Sequence, residues 1–277
     1  MPELLDLTPR FSTFYALAQQ VTPEERWALW QQHYNFAAVP PTPDSPALAR
    51  RLLDGAWDRY RTLPDDLAAE VRRVETQGRH AEQQVTACLA APVPEHRLVA
   101  FVGGFEGNAF TYSSPSPTLC MPIEMTPEWT ATIFTHELTH LVHAPLSGSA
   151  GGWTRTVAAL IVQEGLATRV TEQIHPDAPL EWQVGTAAWL AACTSHRMAL
   201  IHDAQGRLEA SDDASLLRFL QPHPEFGQER TAYALGWWVV GHWLETGRSL
   251  AELARVPESA LSDLVNTQFT AFGTGST

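Results

Sequence analysis

Two histidines and a glutamate in Phe134-Thr135-His136-Glu137-Leu138-Thr139-His140 form an H-E-x-x-H motif inside an apolar run. On a helix, positions four apart share a face, so His136 and His140 can present two imidazole nitrogens to one metal ion. Glu137 lies about 100° round the same helix, within reach of a water on that metal without ligating it. Two neutral nitrogen ligands beside a carboxylate base are what metal-assisted hydrolysis requires. The chain holds 11 histidines in 277 residues, so the context of the motif matters as much as its letters. At about 100° per residue, His136, His140 and His143 fall within about 60° of one another. Ala131, Phe134, Leu138, Leu141 and Val142 cluster opposite, where a core would lie. The plainer reading is an amphipathic helix with histidines on its wet face.

The flanks define that helix. Thr126 can cap it, Pro127 suits the first helical position and Glu128 suits the positive end of the helix dipole. Ala144-Pro145, followed by a glycine- and serine-rich stretch to Gly152, predicts its end and a flexible loop, giving about 16 to 18 residues. A catalytic zinc expects a third protein ligand, with water in the open position. The next helical pattern, about 154–173, offers Glu164, which shares a face with Val157, Leu160, Ile161 and Thr168. A carboxylate on an apolar face is costly unless paired, protonated or bound to metal. Glu164 is therefore the expected third ligand; the alternative is a salt bridge with Arg155 or Arg169. Glu172 competes for the ligand role but lies two turns further on, and His143 competes from the face of the first two ligands. His143, a turn beyond His140, is expected to line the cleft or support a ligand. Gly165 permits close backbone approach and is expected to pack this helix against the motif helix.

His136-Glu137-Leu138-Thr139-His140, followed 24 residues later by Glu164-Gly165-Leu166-Ala167, resembles the gluzincin branch of zinc metallopeptidases, and within it the bacterial predicted zinc-dependent proteases. The specific resemblance covers about residues 98–236. It implies an α+β, zincin-like (thermolysin-like) catalytic core: a small antiparallel or mixed sheet, the motif helix, and a second helix carrying the glutamate. It implies Zn2+ held by His136, His140 and Glu164, with Glu137 as general base and proton shuttle. It also makes Tyr233 similar in placement to a residue that donates to a developing oxyanion. Arg230, on the same face one turn earlier, could hold a substrate carbonyl or carboxylate. The plainer alternative makes Tyr233 core and Arg230 a surface charge. His242 reads as structural.

Upstream, 98–102 reads as a buried strand, and 110–112 and 118–121 as further strands. The glycines of 103–110 suit either a turn or an edge that accepts an extended peptide. The first 95 residues read as a mostly helical region, and 96–277 as the catalytic core with a helical C-terminal part, with one continuous domain as the alternative. Thr22-Pro23-Glu24-Glu25 has capping-box spacing; further helices are expected over about 47–60, 65–89 and 182–200. Asp212 is expected to cap another before Leu216.

A net charge of −13 argues against a nucleic-acid backbone as partner. No apolar run is long enough for a bilayer, and 1–6 is broken by acids, so neither membrane nor leader is expected. Cys88, Cys120 and Cys193 are odd in number and far apart, which reads as reduced thiols in a cytoplasmic protein. The sequence sets no oligomeric state. The expectation is thus a zinc-dependent peptidase acting on a peptide or protein substrate. Alternatives are a zincin-fold peptide-binding or regulatory module and a metallo-hydrolase of a non-peptide amide. The same ligands could hold manganese, cobalt or iron.

Overall fold

In this computed structural model, residues 2–40, 42–112, 116–149 and 155–274 are described. The glycine-rich stretch expected at 150–152 and the tail at 275–277 lie outside them. The fold is mixed α+β and mostly helical, with one four-stranded sheet among the described residues. Contacts divide the chain into two compact units, one of residues 1–80 and 95–134, the other of 81–94 and 135–277.

The first unit holds the sheet. Strands β1 (Glu3–Asp6), β2 (Arg97–Phe101), β3 (Phe110–Tyr112) and β4 (Thr118–Pro122) are ordered β1-β2-β4-β3. β1 and β4 flank β2 in parallel, and β3 pairs antiparallel with β4. Parallel central strands are covered on both faces and read as continuous apolar runs. β4 is buried at every position and β2 at all but Arg97, which is why both were legible. β1 was not expected. It is a four-residue edge strand with Leu4 and Leu5 exposed, so it leaves no burial pattern in the sequence.

Helices α1 (Thr8–Leu17), α2 (Pro23–His33) and α3 (Ser45–Ala56) follow β1; a 3-10 segment, Trp57–Thr62, then leads to α4 (Leu67–Leu89). The expected capping box is present: Glu25 N–H donates to Thr22 Oγ1 and Thr22 N–H to Glu25 Oε2. The helix expected over 47–60 instead tightens into the 3-10 form after Ala56. Phe11 packs edge-on against Phe14, Tyr34 and Tyr60, an aromatic centre for this unit.

The motif helix, α5 (Pro127–Ser147), starts as expected, with Trp129 N–H donating to Thr126 Oγ1 at 3.4 Å. Its expected end is corrected: Pro145 lies inside the helix. A proline in the last turn removes one backbone donor. The donor lost is the one that would have reached Leu141 O, while the carbonyls beside it keep partners: Ser147 Oγ donates to His143 O at 3.0 Å and Ser149 N–H to Ala144 O at 2.9 Å. Gly148, at φ +70°, then turns the chain.

Helices α6 (Val157–Ile174), α7 (Leu180–Gln183), α8 (Ala187–Ser195), α9 (Arg197–Gln205), α10 (Asp213–Leu220), α11 (Thr231–Glu245), α12 (Leu250–Leu253) and α13 (Glu258–Thr274) belong to the second unit. The single helix expected over 182–200 is broken into α7, α8 and α9: Thr186 caps α8 by accepting Trp189 N–H, and His196 interrupts before α9. Asp212 caps α10 as expected. α6 is buried almost all round, as an apolar helix at the centre of a bundle must be. It packs along α11 at two glycines. A Cβ on Gly165 would sit 2.4 Å from Gly236 O, and one on Gly236 2.2 Å from Ile161 O. The close approach expected of Gly165 is therefore made to α11 rather than to the motif helix. No helix among the described residues is long and apolar enough to cross a membrane.

Candidate metal centre

Every residue the sequence singled out for catalysis or metal binding lies in the second unit; the 103–110 segment, expected to turn or to accept a peptide, lies in the first. α5 supplies His136, Glu137, His140 and His143; α6 supplies Glu164; Tyr233 stands in the first turn of α11, with Arg230 as its N-cap. Three atoms converge. His136 Nε2 and His140 Nε2 are 3.1 Å apart, and Glu164 Oε2 lies 3.3 Å from the first and 3.4 Å from the second. A zinc ion with ligands at about 2.0–2.1 Å in tetrahedral array needs neighbouring ligand atoms about 3.3–3.4 Å apart. Two edges of the triangle have those dimensions and the third, between the imidazoles, is 3.1 Å. Glu164 Oε2 is fully buried and receives no hydrogen bond, so an anionic oxygen is left facing two imidazole nitrogens. A cation satisfies that oxygen, and the donor set suits a divalent metal.

Glu137 also gathers here. Its carboxylate and the two imidazoles have ligand atoms within 4.8 Å of one another, so the group can hold a metal ion. Between the two acids, the 3.3 and 3.4 Å contacts make Glu164 the closer match to a ligand and leave Glu137 as its neighbour. Thr135, just before His136, is fixed by a 2.8 Å hydrogen bond between its hydroxyl and His175 Nε2, a contact no sequence signal announced.

The salt-bridge alternative for Glu164 is also realised, on its other oxygen. Arg155 Nη2 donates to Oε1 at 3.4 Å. Arg169, the other expected partner, pairs with Glu172 at 2.7 Å, donates to Trp237 O and lies over the Trp237 ring. That pairing accounts for Glu172. Burial alone would raise the Glu164 carboxyl; the His140 and His136 imidazoles beside Oε2 and the Arg155 guanidinium outweigh it and hold the group well below the usual carboxylate range.

Tyr233 stacks on His136, ring centres 5.9 Å apart and planes within 6°. The Gly165–Gly236 contact accounts for this: Tyr233 is one turn from Gly236, and Glu164 adjoins Gly165. Burial pushes the Tyr233 phenol far up and Glu164 adds to it; Arg230 opposes them, outweighing only the smaller push from Glu137. Tyr233 therefore keeps its proton and can donate a hydrogen bond. The Arg230 guanidinium lies 4.0 Å over its ring, although the residue as a whole is exposed. Arg230 takes the left-handed backbone, φ 56°, which costs a non-glycine residue about 1 kcal/mol or more. His143 is 1 % exposed with neither ring nitrogen hydrogen-bonded; burial, then His140 and Arg155, push its pKa down to about 4. It is a neutral imidazole outside the converging trio. His242 sits 3.7 Å from Glu245 and edge-on to Phe272.

The chain matches no family model, no curated protein and no solved structure.

Proposed function

We propose that this protein is a zinc-dependent peptidase of gluzincin type, with His136, His140 and Glu164 as ligands. The observation that carries the reading is the 3.1, 3.3 and 3.4 Å triangle of His136 Nε2, His140 Nε2 and Glu164 Oε2 around an unsatisfied buried oxygen. An intact Glu137 beside it, 8 % exposed, favours catalysis over a purely binding role.

When bound, zinc supplies Lewis acidity and makes water a nucleophile near neutral pH. Glu137 accepts the proton of the attacking water and returns it to the leaving amine, the ordinary work of a positioned carboxylate. Tyr233, kept protonated by burial and its carboxylate neighbours, donates to the oxyanion that develops on the substrate carbonyl. Arg230 carries a fixed positive charge above Tyr233 and offers its fork to a substrate carbonyl or carboxylate.

The test is Glu137→Gln. Zinc content should be unchanged and hydrolysis of a mixed peptide library should fall by about 10²–10⁴-fold. Turnover retained in a clean preparation would remove Glu137 from the reaction. Zinc binding with no peptide cleavage by the wild type would sink the peptidase reading itself.

A further inference from the structure

Glu164 divides its two oxygens between two partners. Oε2 faces His136 and His140 at 3.3 and 3.4 Å, and Oε1 faces Arg155 Nη2 at 3.4 Å. Arg155 is itself braced, because its Nη1 donates to Gln163 Oε1, the side chain preceding Glu164 on α6. Its backbone is pinned next to Thr156, which caps α6 by accepting Ala159 N–H at 3.1 Å. The guanidinium side chain is 15 % exposed and Glu164 4 %, so water competes little for either contact. A carboxylate on a flexible stem can offer a cation one oxygen, the other, or both. A planar fork anchored on a neighbouring amide removes that freedom.

We propose that Arg155 is a positioning residue for the metal centre: by holding Oε1 it commits Oε2 alone to the ion and makes Glu164 a one-oxygen ligand. This rests on the metal reading of the site, not on the peptidase reading. It unites the two fates open to Glu164, ligand and salt-bridge partner, in one arrangement. Partners of ligating side chains are worth about 10–100-fold in metal affinity in other metal sites.

The experiment is zinc affinity of the metal-stripped full chain by competition with a chromophoric chelator. It compares the wild type, Arg155→Met, Arg155→Lys and Glu164→Gln, and records visible spectra of the cobalt-loaded proteins. Arg155→Met should bind zinc about 10–100-fold more weakly and shift the cobalt bands, and Arg155→Lys should recover part of both. Affinity within about threefold of wild type with an unchanged cobalt spectrum would overturn the proposal. If Arg155→Met does not fold, Gln163→Leu removes the brace and keeps both charges; it should lose affinity in the same direction, and no loss overturns the role. A wild type that takes up no zinc, or a Glu164→Gln as tight as wild type, would instead bring down the metal reading, and this role with it.

Discussion

Each unit draws a carboxylate out of water, and the two are stabilised in opposite ways. In the first unit, Glu124 accepts backbone N–H bonds from Gly103 at 3.1 Å and Phe105 at 3.2 Å, and the adjacent Glu106 accepts from Gly104. Burial first, with Glu106 adding, raises the Glu124 carboxyl despite those bonds. In the second unit, Glu164 meets imidazoles and a guanidinium and is held well below the carboxylate range. Backbone donors are tied to the loop that carries them, so Glu124 braces a turn in which Phe105 takes φ 62°. Side-chain nitrogens that converge on one oxygen from a separate helix leave a point where a cation fits. Burial alone does not mark a site; the kind of partner does.

That contrast breaks most sharply under paired substitutions. Glu164→Gln should weaken zinc binding by about 100-fold or more, since a neutral amide replaces an anionic ligand. Glu124→Gln should leave zinc affinity unchanged and cost about 1 kcal/mol of stability, the loss of charge on an acceptor of backbone N–H groups. Chelator competition and urea unfolding on both proteins read the two quantities. Equal effects on zinc would erase the distinction.

His143 gives the next largest effect. Its folded pKa is pushed to about 4, below the ordinary value of 6.5, so between those values the unfolded chain binds a proton that the folded one excludes. Its contribution is complete above about pH 6.5 and declines as the pH falls towards 4, by about 3 kcal/mol in all. His143→Leu removes the titrating group where neither ring nitrogen is hydrogen-bonded, and should flatten that part of the stability–pH curve. An unchanged slope in urea midpoints between pH 4 and 6.5 would show that other groups set it.

The smallest expected effects compare glycines. Gly165→Ala drives a methyl into the Gly236 backbone at 2.4 Å and should cost about 1–3 kcal/mol, displacing Tyr233 from His136. Gly55→Ala, in α3 of the first unit, meets nothing within 4 Å and should stabilise by about 0.5–1 kcal/mol. Chemical denaturation of the two variants tests whether tight helix contact is confined to the α6–α11 pair.

The trio at the site was legible because its chemistry violates its surroundings. Two histidines repeat at helical spacing, and Glu164 sits among apolar residues on a helix that proves buried almost all round. Caps at Thr22, Thr126 and Asp212 were legible because short polar side chains before helices have one main use. β1 was not, since an edge strand with exposed leucines follows no burial rule. The end of α5 was missed because a proline in the last turn costs the helix a single donor, and the neighbouring carbonyls of His143 and Ala144 still find Ser147 Oγ and Ser149 N–H, bonds that letters do not reveal. The partner of Gly165 was misplaced because a glycine announces a close approach without naming what approaches. Arg155 was visible only as a rival to the metal, because sequence treats a carboxylate as one acceptor and the fold uses it as two.

The most direct test of the centre is elemental analysis of purified wild type and His140→Ala, with circular dichroism confirming that both fold. Wild type should carry about one zinc per chain, and the variant should lose it. A properly folded wild type that carries no metal and takes none up from added zinc would contradict the metal reading of the site.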